Sequence, residues 1–132
     1  MRNYQTLDRL EKDAAPGILS FVSHAEDDDQ PRLALKREGD YVLISASYGA
    51  LEIALRLRFS EFMRTLTHLQ PIEGLGSSRQ IGSTQSYLSF GLNADGTLLL
   101  RPTIGADATG RITINLALSS EMRQQLITWL ES

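Results

Sequence analysis

Basic side chains stand at strand-like spacing in two segments of this chain. Arg56 and Arg58 are separated by one apolar residue, and Arg32 and Lys36 flank a similar alternating segment. In an extended strand, alternate side chains point to the same face, so these cations would share a surface. A row of guanidinium and ammonium groups can contact successive phosphates. The same pattern is also typical of an ordinary exposed strand, because Lys and Arg keep sheets soluble.

Tyrosines stand near the same segments. Tyr48 and Tyr87 lie near predicted strand ends, and Tyr41 begins a predicted strand. Proteins that hold single strands of nucleic acid stack bases on aromatic side chains, whereas tyrosine at a half-buried strand position is also ordinary β-sheet packing. Both roles are open from the sequence. The predicted nucleic-acid-binding set is Arg32, Lys36, Arg56, Arg58, Arg101, Arg111, Tyr48 and Tyr87.

The sequence gives less support to a catalytic or metal-binding role. The two histidines, His24 and His68, are far apart and have no partner at ligand spacing. The run from Asp27 to Asp29 lacks the alternating ligands and the glycine of a calcium loop. The glycine-rich segment 73–83 has no Gly-Lys-Ser/Thr for phosphates, and the chain has no Gly-x-Ser-x-Gly elbow. We therefore predict a non-enzymatic protein with no catalytic residues, no metal site and no cofactor.

Composition narrows the class of protein. The chain has 132 residues, of which 42% are hydrophobic, with no cysteine and a net charge of -3. This length suits one domain with its own core, and the lack of cysteine excludes disulfides and thiolate metal sites. The net charge gives no general attraction to nucleic acid or anionic lipid, so binding to either would need a local patch. Because no segment resembles a signal peptide or a membrane span, we expect a single cytoplasmic domain over residues 1–132 with no membrane contact.

The elements that would position these side chains follow a repeated pattern. Residues 40–49 and 96–105 each contain a turn residue, an apolar run and a closing glycine. Each is followed by an alternating strand and by an apolar helix that opens with Ser-Glu. Such self-similarity predicts two equivalent units. The expected fold is α+β, in which four antiparallel strands and a helix occur twice, in halves over about 17–70 and 79–131, related by an approximate twofold axis with the helices meeting beneath both sheets.

Local signals give the expected bounds of these elements. Ser60 is expected to cap the first helix, and Ser120 opens the second, which runs to Glu131. Residues 4–14 are expected to form an additional N-terminal helix, ended by Pro16 and Gly17. Strands are predicted over 17–23, 32–38, 41–48, 51–59, 87–92, 97–104 and 111–118, with a short edge strand inside 73–83.

Alternation also predicts the faces of the strands. In the strand 111–118, the even-numbered apolar residues from Ile112 to Leu118 are expected inside, and Arg111 and Ala117 outside. In the strand 51–59, Leu55 is expected inside and Arg56 outside. Glu52 is then the only acid expected on the basic side of the sheet. Net negative charge is expected elsewhere, above all in the loop 26–29.

The duplicated order of four strands and a helix resembles the Whirly fold. One unit is also similar to the single-stranded-DNA-binding domain of the transcriptional positive coactivator family, which pairs two copies as a dimer, and the architecture is associated with small cyanobacterial proteins of undetermined role. The resemblance covers about Gly17 to Glu131 and implies binding of single-stranded DNA. Whirly proteins carry a lysine-glycine-lysine-alanine run at a strand start. The nearest basic element here, residues 35–38, lacks the glycine, so no binding residue is transferred by motif.

Two functions from different classes are therefore predicted as alternatives. The first is a non-enzymatic module that binds single-stranded nucleic acid through the basic set named above. The second is a protein-interaction or assembly module whose sheet edges and helices contact a protein partner or a second copy of the chain. Binding to single-stranded oligonucleotides at two salt concentrations separates them, because phosphate contacts weaken as salt rises.

Overall fold

A computed structural model describes residues 4–11, 15–23, 30–69, 79–83, 85–106 and 110–132. Within these ranges the chain forms two mostly antiparallel sheets and two helices, which makes the fold α+β as predicted. His24, the acidic loop 26–29 and residues 73–78 of the glycine-rich segment lie outside the described residues. The helices are α1 (Phe59–Thr67) and α2 (Ser120–Glu131), and the strands are β1 (Gln5–Leu7), β2 (Arg9–Leu10), β3 (Ile18–Val22), β4 (Arg32–Glu38), β5 (Tyr41–Tyr48), β6 (Leu51–Arg58), β7 (Arg79–Gly82), β8 (Ser86–Leu92), β9 (Leu98–Ala106), β10 (Gly110–Thr113) and β11 (Leu116–Leu118).

The first sheet has five antiparallel strands in the order β2-β3-β4-β5-β6. Tight turns join β4 to β5 and β5 to β6. Gly39 and Gly49 adopt φ angles of 61° and 62° in these turns, a left-handed conformation that glycine reaches without strain. The turn at residues 39–40 and the bounds of β4 and β5 agree with the sequence prediction. Inside the sheet, the alternating leucine, isoleucine and valine residues of β4, β5 and β6 are buried on one face.

The second sheet has the order β1-β11-β9-β8-β7, and β10 also pairs with β9. The predicted strand over 111–118 is broken at Ile114 and Asn115. In the register of this pair, Ile114 stands opposite Pro102 of β9, and its N–H donates to the Pro102 carbonyl at 3.2 Å. Proline has no N–H to return the second bond of the pair, so the ladder stops there and resumes as β11.

The break changes the burial of the neighbouring residues. Ile112 was predicted inside but is 45% exposed on the short edge strand β10. Ala117 was predicted outside but is 5% exposed, because β11 lies between β9 and β1 and its Ala117 is flanked by Leu99 and Thr6. The central residue Leu116 is fully buried as expected.

The predicted N-terminal helix is wrong, because this segment forms β1 and β2. β1 pairs with β11 in parallel, and β2 pairs with β3 in the other sheet. Leu7 at the end of β1 is fully buried. A short segment with few apolar residues forms a helix of little stability on its own. As strands, the same residues form backbone hydrogen bonds with β11 in one sheet and with β3 in the other. The N-terminal segment therefore links both sheets.

The inner faces of both sheets and one face of each helix enclose a single core. The rings of Phe62 in α1 and Phe90 in β8 meet edge to face with centroids 5.5 Å apart. The Ser119 hydroxyl caps α2 by accepting a bond from the Met122 N–H at 3.3 Å. The expected cap of α1 is wrong: α1 begins at Phe59 with no side-chain cap, and Ser60 lies in its first turn.

The turn between β8 and β9 contains a carboxyl group, that of Asp95, whose pKa is shifted by its hydrogen bonds. The Asp95 carboxylate accepts a hydrogen bond from the Thr97 N–H at 2.9 Å. This bond and a further one from the Thr97 side chain lower the pKa of Asp95 below its ordinary value. The turn is closed by the Gly96 N–H, which donates to the Asn93 carbonyl at 3.0 Å.

Candidate nucleic-acid interface

The outer face of the first sheet carries half of the predicted binding set. In β4, Leu33 and Leu35 are buried on the inner face, so Arg32 and Lys36 lie on the outer face, where both are exposed. In β6 the same alternation places Arg56 and Arg58 outside. We call this outer face of β2 to β6 the basic face. The four cations therefore lie on one surface, as the alternation of the strands predicted.

The strand register brings three of the four cations to one end of the basic face. Lys36 on β4 stands opposite Leu43 on β5, which stands opposite Arg56 on β6. In the next outward row, Tyr41 on β5 stands opposite Arg58. Side chains directly opposite each other are about 5 Å apart at Cβ, so Tyr41 and Arg58 are close neighbours, whereas Lys36 and Arg56 are separated by Leu43 and lie two strand spacings, about 10 Å, apart. We call Lys36, Tyr41, Arg56 and Arg58 the basic cluster.

Tyr41 is held under one of these arginines. The Arg56 guanidinium carbon lies 3.9 Å from the centroid of the half-buried Tyr41 ring. This cation–π contact fixes the guanidinium plane over the sheet and leaves its N–H groups available. Nucleic-acid bases stack on aromatic rings and on arginine planes. Because Arg56 covers the ring of Tyr41, the surface that the pair offers to a base is the outer side of the guanidinium, and the N–H groups at its edge can donate to a phosphate.

The basic face carries more acid than the sequence predicted. The Glu11 carboxylate bridges two groups there, accepting the Ser20 hydroxyl at 2.7 Å and pairing with Arg32 at 3.2 Å. Glu38 also lies on this face, opposite Tyr41. The expectation of a single acid is wrong for two reasons. Glu11 follows strand β2 at the edge of the sheet and is not in a helix, and Glu38 has the same parity in β4 as Lys36 and therefore lies on the same face. In the described residues the face carries Arg9, Arg32, Lys36, Arg56 and Arg58 against Glu11, Glu38 and Glu52.

Three of the four cations of the basic face that form no ion pair with a described carboxylate lie in the basic cluster, with Glu38 beside them; the fourth is Arg9 at the opposite edge. Lys36, Arg56 and Arg58 form no ion pair with a described carboxylate. Glu52, at the other end of the face, accepts the Ser45 hydroxyl at 2.8 Å. Arg32 is partly neutralised by Glu11, so its position favours phosphate contact less than those of the other three cations.

Tyr48 does not lie on the basic face. It stands on the same side of β5 as the buried Val42, Ile44 and Ala46, and it packs against the core. The structure therefore corrects its placement beside the cations. The alternation within β5 could have shown this, since Tyr41 and Tyr48 are an odd number of residues apart and must point to opposite sides.

The other three predicted residues lie on the second sheet. Tyr87 stands opposite Thr103, Arg101 opposite Ser89, and Arg111 opposite Gly105, on the face that points away from the core. Arg111 is exposed, and Tyr87 and Arg101 are half-buried. These three residues form a separate group, and the predicted set of eight is divided between two sheets.

A cavity opens at the end of the first sheet beside the basic cluster. Its volume is about 220 Å³. The Arg37 guanidinium carbon lies 3.7 Å from the centroid of the Phe59 ring, and the Phe59 N–H donates to the Asp40 carbonyl at 2.8 Å. Neither Arg37 nor Phe59 belongs to the predicted binding set, and Phe59 also packs against the core. The cavity is lined by Arg37, Asp40, Tyr41, Arg58, Phe59 and Ser60.

Other kinds of site find no support in the described ranges. No three His, Cys, Asp or Glu side chains come together there as metal ligands. His68 is an exposed residue at the C-terminal end of α1. Neither α1 nor α2 is long and apolar enough to cross a membrane.

No protein-family model and no curated protein sequence matches this chain. The geometry of the basic face and of the cavity beside it is therefore the basis for assigning a function.

Proposed function

We propose that this protein is a non-enzymatic module that binds single-stranded nucleic acid on the basic face, with the basic cluster as its main contact. The observation that carries the proposal is that three cations, none of them in an ion pair with a described carboxylate, surround a tyrosine that one of them covers. Glu38 stands opposite the same tyrosine, and the group keeps a net positive charge. Phosphate contacts supply affinity without reading sequence, and stacking supplies an attraction that every base can make.

The shape of the basic face suits an extended ligand. Next to the row of Lys36 and Arg56, the neighbouring row contains only alanine and serine on the three strands β4 to β6. These small side chains leave a shallow track across the sheet, along which a backbone could approach. The open part of the row consists of Ala34, Ser45 and Ala54, and it ends at β3, where Ser20 is buried and bonded to Glu11.

We also propose that the chain is a duplicated unit of four strands and a helix, like the Whirly fold. This proposal is supported by the order β3 to β6 followed by α1, and by β7 to β9, the broken pair β10 and β11, and then α2. The resemblance adds weight to single-strand binding as an analogy of fold, which is a weaker reason than the geometry of a site.

Removal of two charges from the basic face, compared with removal of two charges elsewhere, tests the proposed surface. Arg56→Ala with Arg58→Ala removes two cations of the basic cluster, whereas Arg64→Ala with Arg111→Ala removes two exposed cations from α1 and β10. Both variants change the net charge equally. We expect the first to weaken binding of a single-stranded oligonucleotide about tenfold or more and the second to change it about twofold or less, because distant exposed charges are screened. Equal losses in a fluorescence anisotropy titration would place the site elsewhere.

A second candidate function is assembly of two copies through the edge strand β10. Ile112 is the most exposed large apolar side chain among the described residues, at 45%. Its strand pairs on one side only, with β9, and such an edge can accept another strand. If a dimer forms there, Ile112→Lys should dissociate it in sedimentation equilibrium. A wild-type monomer at high concentration would exclude this candidate.

A further inference from the structure

The cavity beside the basic cluster has the composition of an anion site. Of the six residues that line it, two carry guanidinium groups and two carry aromatic rings. Asp40 is the one carboxylate among them, so the lining is net positive. Its volume of about 220 Å³ is below the roughly 300 to 1,000 Å³ of sites for whole small-molecule ligands. A small anionic group attached to a larger ligand is the better match.

The arginines enter this cavity from different strands. Arg37 is on the same side of β4 as the buried Leu33 and Leu35, yet it lies beyond the core, exposed, with its guanidinium over the ring of Phe59. Arg58 comes from the end of β6, immediately before α1. Neither pairs with a described carboxylate. A guanidinium plane held by an aromatic ring keeps its fork of donors in place, and that fork fits phosphate oxygens.

We propose, building on the proposed function, that this cavity binds the terminal phosphate of the single strand that lies on the basic face. Tyr41 and Arg58 belong both to the basic cluster and to the cavity wall, so a strand on the face leads into the cavity. A terminal phosphate monoester carries a charge of about −1.5 to −2 at neutral pH, whereas each internal phosphodiester carries one negative charge. Two arginines that line one cavity therefore favour the end of the strand over its interior.

The test compares one oligonucleotide, labelled internally, with a 5′-phosphate, with a 3′-phosphate and with hydroxyl groups at both ends. We expect the wild-type protein to bind one of the phosphorylated forms about tenfold more tightly than the hydroxyl form, as charge-assisted hydrogen bonds would give. Arg37→Ala should remove this preference and leave the affinity for the hydroxyl form unchanged, because Arg37 is not on the basic face. Arg37→Lys, which keeps the charge and loses the fork, should retain only part of the preference.

Lys36→Ala is the matched control, since Lys36 is adjacent in sequence, also exposed, and on the opposite side of β4. It should weaken all three forms equally and keep the preference. Asp40→Asn, which removes the carboxylate from the cavity wall, should increase the preference. Inorganic phosphate at millimolar concentration should suppress the preference before it affects the hydroxyl form.

The outcomes separate this proposal from the one on which it rests. Equal binding of all three forms by the wild-type protein would overturn the terminal-phosphate site and leave single-strand binding in place. Absence of binding to every form would overturn the proposed function. In that case, isothermal titration calorimetry with a nucleoside monophosphate tests the cavity alone. Binding by the wild-type protein that is lost in Arg37→Ala would support a phosphate site in the cavity. Absence of binding by the wild-type protein would exclude that site.

Discussion

Replacing Leu55 and Arg56 separately with alanine should affect stability very differently, although the two residues are adjacent. Leu55 is 6% exposed and lies in the core, whereas Arg56 is exposed on the basic face over Tyr41. A buried Leu→Ala change costs about 2 to 5 kcal/mol of unfolding free energy. Arg56→Ala removes an exposed cation–π contact, which contributes about 0.5 to 1 kcal/mol.

These values convert into shifts that urea denaturation can resolve. With a urea dependence of about 2 kcal/mol per M, the middle of the range for a small domain, Leu55→Ala should lower the midpoint by about 1 to 2.5 M and Arg56→Ala by about 0.5 M or less. Leu116→Ala, at a fully buried position of the second sheet, should behave like Leu55→Ala. If Arg56→Ala lowered the midpoint as much as Leu55→Ala, the assignment of faces to β6 would be wrong, and the basic face with it.

Three further outcomes follow from individual contacts. Tyr48→Ala should lower stability and leave oligonucleotide affinity unchanged in the folded fraction, whereas Tyr41→Ala should weaken binding by about 1 to 3 kcal/mol; the reverse ranking would show that the tyrosine on the inner side is the binding residue. Glu11→Gln should release Arg32 and increase binding at low salt, and unchanged affinity would show that Arg32 contacts no phosphate. The pKa of Asp95 is lowered in the folded protein, so its hydrogen bond to Thr97 stabilises the fold above the unfolded pKa of about 3.9, and this stabilisation is lost as pH falls through the lower folded value. The difference in urea midpoint between the wild type and Asp95→Ala should therefore shrink on acidification. A difference that stays constant with pH would contradict this.

The strands that the sequence predicted best are those whose signals are local. The bounds of β4 and β5 follow from alternating burial and from the glycine turn at residue 39 between them. The break between β10 and β11 has its cause in Pro102, which is on a different strand and meets Ile114 only through the register. The N-terminal segment likewise takes its structure from pairing with both sheets. Such long-range partners leave no local pattern.

Part of the candidate site could likewise be predicted from local sequence patterns, and part could not. A period of two placed Arg56 and Arg58 on one face correctly, and the same rule applied to β5 would have selected Tyr41 over Tyr48. The contact between Arg37 and Phe59 joins a strand to the start of a helix that follows two strands later. No spacing in the sequence indicates it, so the cavity could be found only from the fold.

The salt dependence of single-strand affinity tests most directly whether the basic cluster holds phosphates. With three contacts, the logarithm of the association constant should fall with the logarithm of salt concentration at a slope of about −2 between roughly 50 and 200 mM, and in the variant Arg56→Ala with Arg58→Ala the slope should be about −0.7. An unchanged slope in that variant, or no binding by the wild-type protein at the lowest salt to either DNA or RNA, would contradict the proposed function.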